Sequence, residues 1–279
     1  MLLVILAISC SPKLETEQHL AGENVNNIVV RKDFKRYFDS CSVEGSIALY
    51  DYTNQKWIVS DTIGIHYATL PASSFKIINL LIALETKTIS DENEVVNWVR
   101  TTDTVKYGYR PEIYHDMTVK EAFKISAGWV FVELAKKIGR ENYKQYLNKS
   151  NYGNVNLSQE DTDFWNFGKF AISPKNQVEF IKNLYEENLP FSKRNIEIVK
   201  KVMITEQNED YTLRAKTGWT RDNNINTGWW VGYIETQKGT YIFATRLLQD
   251  RKFKRDDFGT CRMEITKKIF KDLGIIKGG

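Results

Sequence analysis

The apolar pattern puts strands at both ends of the chain and helices between them, an order that few folds can accommodate. Residues 46–52 and 56–60 read as two strands around Thr53-Asn54-Gln55, a hairpin by spacing. Strand patterning returns only at 213–217, 228–235 and 240–248, the last two joined by Thr236-Gln237-Lys238-Gly239. Between the two groups, helical periodicity covers 73–85, with Ile77, Leu80, Leu81 and Leu84 on one face, then 118–135, 177–187 and 195–203. Thr118 and Glu121 form a capping box that starts the second of these helices. An amphipathic helix over 266–273 ends the pattern. The order predicts an α+β fold: an antiparallel sheet flanked by helices, with an all-α subdomain inserted over roughly 86–200. Alternating βαβ units and a phosphate-binding glycine loop are both missing, which argues against a doubly wound nucleotide-binding fold.

Residues 2–8 form an unbroken apolar run, too short to span a bilayer but long enough for the core of a signal peptide. The run leads into Ala7-Ile8-Ser9-Cys10 and then a polar stretch, and a small residue before cysteine resembles the lipobox of bacterial lipoproteins. The expectation is export to the periplasm, with 1–24 as signal peptide and polar tether and 25–279 as one catalytic domain. A lipidated Cys10 would be the membrane tether. The net charge of +4 is dispersed, and the basic run 251–255 has acidic neighbours at Asp250, Asp256 and Asp257. A nucleic-acid partner is therefore not expected. Cys41 and Cys261 could pair in an oxidising compartment, but sequence leaves them unassigned. His19, His66 and His115 lack metal-ligand spacing, so no metal is predicted.

Two short motifs carry chemistry. Pro71-Ala72-Ser73-Ser74-Phe75-Lys76 holds the chain's sole Ser-x-x-Lys. Ser73 opens an apolar-faced helix and Lys76 follows three residues later, on the same face one turn on. A serine hydroxyl needs a neighbouring base to attack a carbonyl at neutral pH. A lysine can serve only if burial lowers its pKa from about 10.4. Lys216-Thr217-Gly218, in a predicted strand, is the sole Lys-Thr-Gly. Its glycine lets a substrate lie close to the strand, and its lysine and threonine can bind a carboxylate. Ser-x-x-Lys and Lys-Thr-Gly occur together in β-lactamases and penicillin-binding proteins.

With these boxes in order, the chain resembles the class D serine β-lactamases over nearly all of 44–279. Pro71 to Ile77 matches the family's nucleophile motif, Tyr152-Gly153-Asn154 its Tyr-Gly-Asn, and Lys216-Thr217-Gly218 its third box. Phe164-Trp165 followed by Gly168 resembles the segment bearing the family tryptophan. Gly228-Trp229-Trp230-Val231-Gly232-Tyr233 resembles its Gly-Trp-Phe-Val-Gly strand, and Arg262 its arginine ahead of the last helix. The resemblance implies a β-lactamase fold and hydrolysis of β-lactams, penicillins foremost, through an acyl-enzyme on Ser73. It implies that carbon dioxide or bicarbonate converts Lys76 into a carbamate base, with the Trp165 indole donating to it. Ser126 would relay a proton with the help of Lys216. Backbone N–H groups of Ser73 and Trp219 would form the oxyanion hole, Thr217 and Arg262 would hold the substrate carboxylate, and Tyr152 and Gly218 would line its site. The alternative is a penicillin-binding or β-lactam sensor protein, acylated without efficient turnover.

One motif departs from the family. Ser126-Ala127-Gly128 stands where Ser-x-Val or Ser-x-Ile is usual, so the aliphatic shield over Lys76 is missing. Either Trp129 fills the space or the pocket is wider and wetter, which would raise the Lys76 pKa and weaken carbamylation; Gly128 inside a helix would cost roughly 1 kcal/mol. The class A glutamate and Ser-Asp-Asn patterns are absent, which leaves Lys76 as the available hydrolytic base.

Overall fold

The computed structural model describes residues 27–253 and 256–277. The expected signal segment, tether and Cys10 lie outside the described residues. The chain enters through β1 (Ile28–Val30), α1 (Lys35–Asp39), β2 (Glu44–Asp51) and β3 (Lys56–Val59). A 3-10 turn (Ala72–Phe75) then runs into α2 (Lys76–Glu85). A short ribbon, β4 (Val95–Val96) with β5 (Met117–Thr118), brackets α3 (Thr104–Tyr107). Next come α4 (Val119–Ile125), α5 (Gly128–Ile138), α6 (Arg140–Lys149), α7 (Pro174–Tyr185) and α8 (Lys193–Val202). The chain closes through β6 (Ile204–Gln207), β7 (Tyr211–Asp222), β8 (Ile225–Thr236), β9 (Gly239–Asp250) and α9 (Phe258–Asp272).

Seven strands form one sheet in the order β1-β3-β2-β9-β8-β7-β6, so β2 from the front of the chain pairs with β9 from the back, as expected. The sheet is antiparallel except at one edge, where β1 runs parallel to β3, a pairing the sequence did not signal. Strand β8 explains why the middle of the sheet reads as a continuous apolar run rather than as alternation. Trp229, Val231 and Tyr233 face the helical block, while Trp230 and Ile234 face the opposite layer. Successive side chains point to opposite faces, and here both faces are covered. On one side α9 and α1 pack against Ile47 and Leu247, and a Cys41–Cys261 disulfide joins them. On the other side, α7 packs on β2, β8 and β9, so it belongs to the sheet layers although it lies within the inserted helical segment.

Helix α2 is the pivot between sheet and insertion. Every residue from Lys76 to Leu84 is buried, the polar Lys76 and Asn79 included, so the helix is covered on all sides rather than on the one apolar face expected. Two helix expectations need correction. The single helix expected over 118–135 is two helices, α4 and α5, broken at Ser126, which is left-handed (φ 57°), and Ala127, which is extended. Ala127 N–H donates to Ala122 O (2.9 Å) and Ser126 N–H to Phe123 O (3.4 Å), the pairing of a Schellman ending. Gly128 is therefore the first residue of a helix rather than an interior one, and the expected interior penalty does not arise. The last helix starts at Phe258 instead of 266, so Arg262 lies within it rather than ahead of it. Helix α6, whose mixed polar sequence carries little apolar signal, escaped the periodicity altogether.

Candidate active site

The nucleophile turn is held from three directions. Ala72 has φ 52°, uncommon for a residue with a Cβ, and its N–H donates to Trp165 O (3.0 Å). Pro71 O accepts both the Ser74 N–H (3.2 Å) and the Ser74 hydroxyl (2.7 Å). Gln177 Nε2 in turn donates to Ser74 Oγ at 2.9 Å. From the third side β7 passes so close that a Cβ on Gly218 would lie 2.8 Å from Pro71 O and 3.1 Å from Ser74 N. That close approach is why the third residue of Lys-Thr-Gly must be glycine.

The turn sets Lys76 Nζ 2.8 Å from Ser73 Oγ. Lys76 is 1% exposed. Burial, and secondarily the Arg110 guanidinium, lower its pKa from 10.5 to about 7. About half the amine is then neutral at pH 7, roughly a thousandfold more than for a free lysine. A neutral amine at hydrogen-bond distance can take the hydroxyl proton, which an ammonium cannot. Of the two outcomes expected at Gly128, a wetter pocket with a raised Lys76 pKa is not what the structure has. A Cβ on Gly128 would meet nothing within 4 Å, so that position is open as expected. The amine is nonetheless kept dry by other groups, among them the Phe131 ring, centred 5.1 Å from Nζ. Trp129 does not turn in as a substitute; its indole N–H is tied to Ile113 O (2.7 Å).

A second lysine–serine pair faces the first. Lys216 Nζ donates to Ser126 Oγ in a short hydrogen bond and lies 3.3 Å from Thr217 Oγ1. Burial drives the Lys216 pKa well below its ordinary value, and Lys76, Arg262 and Arg110 add repulsion. The left-handed conformation of Ser126 aims its hydroxyl at β7; a continuous helix would have carried it elsewhere. Arg262 Nη1 donates to Gly218 O (2.8 Å), and burial lowers its pKa to about 10, so it remains a cation at neutral pH.

Ser73, Lys76, Ser126, Thr217, Gly218, Trp219 and Arg262 all line one cavity of about 600 Å³. Three expected site residues stand behind its wall. Lys216 reaches the site through Ser126. Trp165 is buried, stacked on Phe75 (4.9 Å between ring centres), and its indole N–H has no hydrogen-bond partner. Tyr152, expected to bind substrate, does not reach the cavity. It packs against Phe75, Phe170 and Phe180, and its hydroxyl faces Gln177 Oε1 at 3.5 Å. The Tyr152-Gly153-Asn154 segment is a structural clamp: Gly153 has φ 66°, and Asn154 bonds Ala171 N and Lys169 O at 3.0 and 2.9 Å. Sequence reasoning missed Gln177, a buried polar residue at the start of α7 that braces Ser74. It also missed Arg110, which lines the cavity from a polar stretch without periodic signal.

Comparison with known proteins fits this geometry. Residues 50–271 match the penicillin binding protein transpeptidase domain. The chain is 35% identical over 260 residues to a probable beta-lactamase, YbxI, of Bacillus subtilis (93% of this chain, 89% of that protein). It is 34% identical to beta-lactamase OXA-10 of Pseudomonas aeruginosa, covering 93% and 94% of the two chains. A class D beta-lactamase from Sebaldella termitidis superposes with a TM-score of 0.84 at 38% identity, over 90% of this chain and 99% of that one. The chain belongs to the class D β-lactamases. FUS-1 (OXA-85), the class D enzyme of Fusobacterium nucleatum, gives a TM-score of 0.81 at 32% identity, over 89% and 100% of the chains. Family membership accounts for an anomaly in the geometry: two buried lysines, each against a serine and, among the described residues, with no carboxylate partner, make a stable fold less stable, and a catalytic site is where such an arrangement is kept.

Proposed function

We propose that this protein is a serine β-lactamase that opens β-lactams, penicillins among them, through Ser73, with Lys76 as the group that takes its proton. The observation that carries the reading is the buried Lys76 amine, lowered to about 7 and 2.8 Å from a hydroxyl on the wall of an open cavity. Ser73 Oγ attacks the lactam carbonyl, and its proton passes to Lys76. The oxygen of the tetrahedral adduct is held by the backbone N–H groups of Ser73 and Trp219, on the nucleophile turn and on β7, which Gly218 lets pack closely. As the lactam C–N bond breaks, Ser126 hands its proton to the nitrogen and recovers the one that Lys76 took from Ser73, while Lys216 holds the Ser126 hydroxyl in place. Thr217 and Arg262 hold the substrate carboxylate.

The residues present also fit the carbamate expected on Lys76. A neutral amine is the form that adds carbon dioxide, and the partnerless indole N–H of Trp165 is a buried donor beside the nucleophile turn. When present, that group supplies a carboxylate base for release of the acyl-enzyme; Trp165 Nε1 and Ser73 Oγ would hold it. Export belongs to the same reading. It rests on the apolar run before Cys10, with the Cys41–Cys261 disulfide in keeping with an oxidising compartment. Steady turnover of a chromogenic cephalosporin tests the function, with activity lost in Ser73→Ala and, after bicarbonate is stripped at acid pH, restored by adding it back. Stoichiometric acylation that stops after one turnover would overturn it in favour of a penicillin-binding protein.

A further inference from the structure

Arg110 is unassigned by the family motifs, yet it touches the site at two levels. Its Nη2 and Nη1 approach the carbonyls of Ile125 (3.3 Å), the last residue of α4, and of Ser126 (3.5 Å), which follows it. Carbonyls at a helix C-terminus lack partners within the helix and favour a cation. Here they sit at the left-handed turn that gives Ser126 its orientation, a conformation a residue with a Cβ disfavours.

The arginine itself comes from a pinned segment. Arg110 N–H donates to Tyr114 Oη (3.0 Å), Tyr114 stacks on Trp98 (5.0 Å), and the Trp129 indole N–H holds Ile113 O. Glu112 takes the guanidinium Nε at 2.9 Å from the solvent side, so the Nη groups are left to face the cavity. Arg110 also lines that cavity together with Ser73 and Lys76. Arg110 acts on both buried amines, while Lys76 and Arg262, from α9, act on Lys216; among the described residues no carboxylate acts on either amine.

We propose that Arg110 is a positioning residue of this site: it holds the turn that presents the Ser126 hydroxyl, and it brings a fixed positive charge to bear on Lys76 and Lys216. The inference rests on the hydrolytic reading above and deepens it. A permanent cation there disfavours protonation of both amines, so it extends the working range of the site toward acid. Burial lowers the Lys76 pKa most and Arg110 second, which agrees with that role.

The test is a pair of variants in the full chain, Arg110→Gln and Arg110→Lys, assayed with a chromogenic cephalosporin from about pH 5.5 to 9.5. Arg110→Gln removes the charge. It is expected to move the acidic limb of kcat/KM to higher pH and to lower kcat/KM about tenfold on that limb, with a smaller deficit above it. Arg110→Lys keeps the charge and should keep the limb where the parent has it. The inference is overturned if Arg110→Gln keeps the parent limb, whether its activity is unchanged or it falls in step with Arg110→Lys. The parent protein, run alongside, separates the two readings: no turnover by the parent removes the hydrolytic reading itself, whereas a turning-over parent with unmoved variants removes only this inference.

Discussion

Gly218→Ala is the substitution whose consequence follows most directly from the geometry. The new methyl would lie 2.8 Å from Pro71 O, 3.1 Å from Ser74 N and 3.3 Å from Ala72 Cβ. Carbon contacts are comfortable at about 3.5–4.0 Å, so β7 and the nucleophile turn must separate by roughly half an ångström. None of the three atoms can rotate away, because each is backbone or the Cβ of a turn already fixed by Pro71 and by Ala72 at φ 52°. Forcing such a contact costs about 1–3 kcal/mol, and at this chain length each kcal/mol lowers Tm by about 2–4 °C. Catalysis should suffer more than stability. The separation moves β7 away from the nucleophile turn, across the proposed oxyanion site of Ser73 and Trp219, and a misplacement of about 1 Å can cost a hundredfold. Steady-state kinetics with a chromogenic cephalosporin, beside a thermal melt, should show kcat/KM down by about ten- to a hundredfold with a folded protein. A variant within about twofold of the parent in kcat/KM, with the same Tm, would refute the claim that the strand and turn are in contact at the reacting centre.

Gln177→Leu should destabilise the protein by about 1–3 kcal/mol, because it strips buried Ser74 Oγ of a donor, and chemical denaturation reads the loss directly. Some loss of kcat should accompany it, since Ser74 braces the turn. Gly128→Val, which restores the aliphatic residue usual in the family, should leave the acidic limb of the pH profile unmoved, because Lys76 is already dry and a Cβ there meets nothing within 4 Å. A limb displaced to lower pH would show that the open position does wet the amine.

The architecture and the reacting pair were legible because they are written in local signals. Apolar periodicity marked α2 and the β8–β9 hairpin, and Ser-x-x-Lys with Lys-Thr-Gly marked Ser73, Lys76 and Lys216. What escaped depends on tertiary contact. The resemblance names Ser126 but not its conformation: it reads as an ordinary helix residue until Lys216 and the Schellman ending of α4 fix its left-handed turn. Tyr152-Gly153-Asn154 reads as a binding motif, but its glycine and asparagine serve the 151–172 loop and its tyrosine serves the core. The dryness of Lys76 was misjudged because one missing side chain at 128 was weighed without Phe131, which arrives from the same helix one turn later. Arg110 has no sequence signal at all, since its importance lies in carbonyls fifteen residues away along the chain. The Cys41–Cys261 bridge, left unassigned by sequence, became readable only once α1 and α9 were seen on one face of the sheet.

Activation of Ser73 by a neutral Lys76 is the step on which everything downstream in the reaction depends. The rate at which a β-lactam acylates Ser73, followed by rapid-quench intact-mass analysis across the pH range, measures that step apart from deacylation. The expected result is a mass gain lost in Ser73→Ala and a rate that rises to half its plateau near pH 7, the pKa of Lys76. A rate that stays flat through neutrality, or label carried by a residue other than Ser73, would contradict it.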